Sequence, residues 1–161
     1  MKTGKDSAFF KKYGELFSIV KEGLMVESKT LDEDSFWEDQ MQRCRALCPN
    51  NDTAENSLIT SLCLAYLDGV LNQEHVEKTH QPYEENVLKL EMNRFYFLIK
   101  DTLNEEADRK ASDSKIRSFL TVHNDRLMKE WIKVLAAALY DMYGRLDRKS
   151  NLEKIYKGYG L

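Results

Sequence analysis

Apolar residues recur along most of this chain at intervals of three and four, the spacing that lines one face of an α-helix. Phe9, Phe10, Tyr13, Leu16, Phe17 and Val20 predict a first helix from about Asp6 or Ser7 to about Glu22, with Gly23 placed to end it. Asp32 or Asp34 can cap a second helix, whose stripe of Trp37, Met41, Cys44 and Cys48 runs to a stop at Pro49. Asp52 and Glu55 form a capping-box pattern for a third. That helix carries Leu58, Ile59, Leu62, Cys63, Tyr66, Val70 and Leu71, a surface broad enough for a central position. Beyond Pro82, Val87, Leu88, Met92, Phe95, Tyr96, Ile99 and Leu103 mark a fourth. The pattern resumes at Ile116, Phe119 and Leu120 and continues through Leu127, Trp131, Leu135, Leu139, Met142 and Leu146. Because the stripe keeps phase across His123, one long helix is favoured over a break capped by Asn124.

The expected fold is therefore all-α, a compact bundle of five to six helices with a long C-terminal helix. One domain spans residues 1–161, with 150–161 as a flexible tail. Two prolines and seven glycines are too few for the turns of a sandwich or barrel. The net charge of -3 gives no general attraction for nucleic acid or an anionic membrane. No apolar run is long enough to cross a bilayer, and the lysine-bearing start does not read as a secretory signal. Three cysteines form no disulfide framework, so reduced thiols in a cytoplasmic protein are expected.

Candidate chemistry is sparse. No Gly-rich phosphate loop, Gly-x-Ser-x-Gly or His-Glu-x-x-His occurs, and no cofactor is expected. In "NQEHVEKTH", His75 and His80 are five residues apart, about 140° around a helix, and do not converge on a metal. Glu77 and His80 match half of a di-iron spacing, but His123 has Leu120, not glutamate, three residues before it. This stretch reads as a polar, fraying helix end before Pro82. Cys44, Cys48 and Cys63 with a histidine could hold zinc, but they continue apolar stripes and read as core. No metal site is expected.

"RSFLTVH" places Arg117 six residues before His123. That spacing resembles the arginine–histidine motif of HEPN-domain ribonucleases. The resemblance implies an all-α dimer in which the motifs of both subunits meet. Arg117 would stabilise phosphate and His123 would act in acid–base chemistry, assisted by Asn124 or Asp125. Many members have a polar residue, often asparagine, directly after the arginine; Ser118 stands there in this chain. A second stretch, "LEMNRFYFLIKDTL", resembles a helix of GINS replication subunits through Glu91-x-x-Arg94 and its apolar phase. The β-rich second domain usual in that family has no counterpart.

Charge is uneven along the chain. Residues 27–39 hold six carboxylates against one lysine, and residues 145–161 hold five Lys or Arg against two acids. Arg145, Arg148, Lys149, Lys154 and Lys157, interleaved with Tyr156 and Tyr159, form a basic tail, the one route to nucleic acid. Trp131, Tyr140 and Tyr143 on the last stripe are the residues expected to meet a partner, another protein or a second copy of the chain. Without a catalytic kit, the chain fits a protein-interaction module, an adaptor or stoichiometric inhibitor such as a phage or mobile-element protein. The HEPN-like ribonuclease is the alternative.

Overall fold

A computed structural model describes residues 1–104, 107–142 and 154–161. Among these residues the structure is helical and contains no strand, in agreement with the all-α expectation. Helix α1 (Ala8–Leu24) starts at Ser7, whose hydroxyl accepts from the Phe10 amide at 3.1 Å. It buries Phe9, Tyr13, Leu16, Ile19, Val20 and Leu24, while Phe10 stays partly exposed. Gly23 does not end it. A Cβ there would lie 1.7 Å from the Tyr66 hydroxyl, so the glycine serves a close approach of two elements rather than a cap.

A 3-10 turn (Ser28–Asp32) leads into α2 (Asp34–Leu47), and the Trp37 indole donates to the Leu31 carbonyl across that junction at 2.8 Å. Helix α3 (Ala54–Leu64) is capped by Thr53, one residue after the expected Asp52. It continues as a π-helical segment (Ala65–Asn72) and a last α-turn, α4 (Gln73–Glu77). Leu58, Ile59, Leu62, Tyr66, Val70 and Leu71 are buried, so this rod is central, as its broad apolar surface predicts. Where the α pattern widens, the Leu62 carbonyl accepts from the Trp131 indole at 3.1 Å.

Helix α5 (Glu85–Thr102) begins after Pro82, with Glu84 accepting from the Asn86 and Val87 amides. The Tyr13 hydroxyl donates to the Met92 carbonyl at 2.6 Å and ties α1 to α5. The long C-terminal helix is present as expected, but the continuity expected across His123 is broken. α6 (Arg109–Val122) ends at His123, and α7 (Arg126–Met142) restarts from Asp125, whose carboxylate accepts from the Met128 amide at 2.9 Å. Helix α7 packs along the π segment and α3, placing Trp131 in the middle of the core. No helix among the described residues is long and apolar enough to cross a membrane.

Candidate functional site

The residues singled out by pattern fall in different places. Trp131 is wholly buried and Tyr140 is 2% exposed, so both are core residues of this chain; Tyr143 lies outside the described residues, as do Arg145, Arg148 and Lys149 of the basic tail. Tyr156 donates to the Lys133 carbonyl and Tyr159 to Asp113, which binds residues 154–161 to α6 and α7. Arg117 is part of that docking. Its guanidinium donates to the Gly158 carbonyl at 2.9 Å and stands over the Tyr159 ring. His123 has other partners, so the two residues of the ribonuclease-like motif are not joined within the chain. Asn124 is exposed in the link between α6 and α7.

His123 sits in a buried polar cluster that the sequence did not announce. Arg94 of α5 donates to its Nε2 at 3.0 Å, which puts the ring hydrogen on Nδ1. Nδ1 faces Glu91 across 3.8 Å, and the ring packs on Phe119. Burial and then the Arg94 charge lower the histidine below its ordinary pKa, so the imidazole is neutral at pH 7. Glu91 is 3% exposed; burial first, then Asp125 beside it, push its carboxyl up to about 9. A neutral acid and a neutral imidazole thus face each other at the break in the last stripe. Only the Glu91-x-x-Arg94 step was visible beforehand.

The "NQEHVEKTH" stretch is not frayed. Lys78 takes a left-handed conformation (φ 58°) that ends α4 and turns the chain back. His80 is thereby buried, with Nδ1 on Glu74 at 2.8 Å and Nε2 on the Val26 carbonyl at 2.8 Å. The Tyr83 hydroxyl donates to the second Glu74 oxygen. His75 is spent separately on Asp32 and on the face of Trp37. No group of three or more His, Cys, Asp or Glu among the described residues is arranged to hold a metal ion.

The strongest candidate for a functional surface is a groove of about 550 Å³ between α2 and the α3–π rod. One wall is Trp37, Met41, Cys44, Arg45 and Cys48; the other is Thr60, Cys63, Leu64, Leu67, Asp68 and Asn72. Met41 and Leu64 are 40% and 54% exposed, although periodicity placed Met41 on a core stripe. Asp34 and Glu38 share that face of α2 by helical spacing and are exposed, so the groove opens beside the acidic segment. Its second wall includes the π-helical residues Leu67, Asp68 and Asn72, and such irregular turns are frequent at functional sites. A larger groove, of about 730 Å³, lies between α3 and α7, where small side chains such as Ala54, Ser61, Ala65, Ala137 and Ala138 alternate with larger ones such as Leu58, Leu103, Lys133 and Tyr156. It reaches Met142, the last described residue of α7. No protein family, curated protein or solved structure matches the chain.

Proposed function

We propose that this chain works by protein–protein contact, seating an apolar, cation-flanked helix of a partner in the groove between α2 and the α3–π rod. The observation that carries this reading is the pair of large exposed apolar residues, Met41 and Leu64, flanking an apolar floor. Fully burying a side chain of this kind contributes about 1.5–3 kcal/mol. The carboxylates of Asp34, Glu38 and Asp68 supply charge that favours cations at the ends of the seated helix. A stable contact needs about 1,200 Å² or more, so the partner extends past the groove onto the acidic segment. An adaptor or stoichiometric inhibitor works in this way, with no chemistry of its own.

Trp37 lines the groove while Trp131 is sealed in the core, so Trp37 emission reports an occupant. A Leu/Lys amphipathic helical peptide should shift that emission with a salt-sensitive affinity. The Leu/Glu counterpart should not bind, and Leu64→Glu should abolish the response. Equal binding of both peptides, or an unaffected Leu64→Glu chain, would overturn the assignment.

A second reading, the HEPN-like ribonuclease, draws support from one observation: a neutral imidazole at His123 beside the Arg94 guanidinium suits acid–base work near phosphate. Its test is cleavage of single-stranded RNA by the purified chain, lost in both Arg117→Ala and His123→Ala. Solution mass across a concentration range accompanies it, because two motifs must meet in a dimer. A monomer without cleavage removes this reading.

A further inference from the structure

A third cavity, of about 370 Å³, lies where the start of α7 meets the central rod. Its size falls in the range of about 300–1,000 Å³ that small-molecule sites occupy. Three cations of α7 line it, Arg126, Lys129 and Lys133, against one acid, Glu130. At 100° per residue the three cations fall within about 60° of one another around the helix, so they share one face. Arg126 Nη2 donates to Glu77 at 2.7 Å and Lys133 to Glu130 at 3.2 Å. Lys129 is exposed and has no salt-bridge partner among the described residues. Arg126 Nη1 is covered and has no acceptor, so the guanidinium keeps unused donors. Like charges three and four residues apart on a helix repel, and an anion in the cavity relieves that repulsion. The chain as a whole carries a net charge of -3, which makes this cationic face a local feature. Two amides complete the lining. The Gln73 side-chain nitrogen is spent on Glu77 at 2.8 Å, which leaves its carbonyl oxygen as an acceptor, and Asn124 is exposed with both donor and acceptor open.

We propose that this cavity binds a small sugar phosphate, with the phosphate on Arg126, Lys129 and Lys133 and the hydroxyls on Gln73 and Asn124. A phosphate monoester carries about -1.5 to -2 charges at neutral pH, which matches three cations less one carboxylate; a carboxylate ligand supplies only one charge. Arginine presents a fork of donors to phosphate oxygens, and lysine adds point charge beside it. Bare phosphate leaves the amide side of the cavity empty, whereas the hydroxyls of a sugar meet an acceptor at Gln73 and a donor at Asn124. The site lies apart from the groove beside α2 and shares none of its lining residues.

The probe is ribose phosphate, esterified at the terminal hydroxyl and titrated into the full chain by calorimetry at neutral pH and low salt. It should bind one to one, with an affinity that falls as salt is raised. Ribose alone should give no binding heat. Inorganic phosphate should bind at least about tenfold more weakly than the ester, a difference of about 1.4 kcal/mol. Lys129→Glu should weaken the ester at least about tenfold without lowering the melting temperature, because Lys129 is exposed and unpaired. Lys11→Glu makes the same change of charge at an exposed position of α1 and should bind as the parent chain does. Asn124→Leu should weaken the ester and leave inorganic phosphate unchanged. No binding of the ester at millimolar concentration, an unaffected Lys129→Glu chain, or an equal loss in Lys11→Glu would overturn the site. Equal affinity for the ester and inorganic phosphate, or an Asn124→Leu chain that binds the ester unchanged, overturns the assignment to a sugar phosphate.

Discussion

Two buried histidines of this protein each lie beside a buried glutamate, and the outcomes differ. His80 and Glu74 share a short contact, and the Val26 carbonyl and Tyr83 hydroxyl complete it. His123 and Glu91 stay 3.8 Å apart, the imidazole is taken by Arg94, and Glu91 Oε1 has no hydrogen-bond partner. The first arrangement rivets the end of α4 to the segment after α1. The second leaves a carboxyl whose cheapest buried form is protonated. Residue type is the same in both; what differs is whether the backbone brings enough partners to satisfy the charged form.

The largest effect should separate the two histidines. His80→Ala strands Glu74 in the interior and should cost about 3 kcal/mol or more in denaturant unfolding. His123→Ala should cost about 1–2 kcal/mol, because its partner Arg94 is exposed and regains water. Equal losses would break the contrast. Next is pH. The Glu91 carboxyl sits at about 9 in the folded chain against 4.5 unfolded, so between those values the folded state holds a proton the unfolded state lacks. Stability on this account falls as pH rises from about 5 to about 9. Glu91→Gln should flatten that slope in melts taken across the window and raise stability at pH 8. His123 acts oppositely and over a smaller range, since its lowered value adds stability as pH rises towards 6.5. Tyr83→Phe comes third, with about 1 kcal/mol lost through one hydrogen bond to Glu74. Smallest is Lys78→Gly, which relieves a left-handed side-chain residue and should raise the melting temperature slightly, a gain of a few tenths of a kcal/mol.

The stripes of α1 and α5 were readable because each helix buries one continuous face, and Pro82 marked a boundary as expected. The break at His123 was not readable from phase. Leu120 and Leu127 are seven apart, two turns of an unbroken helix, yet the chain leaves the helix at His123 and restarts at Asp125. Gly23 resembled a stop because the tyrosine it makes room for is far away in sequence. The spacing argument held His75 and His80 apart on an ideal helix. It did not foresee that Lys78 would turn the chain and aim His80 back at Glu74. The groove was hidden for a related reason. Periodicity says which side of α2 is apolar, but not that α3 covers only part of it and leaves Met41 on the rim.

The π-helical stretch Ala65–Asn72 has a consequence for how this chain tolerates insertions and deletions. Every residue after it is rotated about the rod by the wider turns before it. Loss of one residue between 65 and 72 would turn His75 by about 100°, away from Asp32 on the 3-10 turn, and would shift His80 from the Val26 carbonyl in the segment after α1. The same loss at the exposed loop residues Pro49 or Asn50, ahead of the side chains that hold the start of α3, would be absorbed more cheaply. Within those eight positions, a change of length should therefore cost more stability than a substitution at an exposed position such as Asp68.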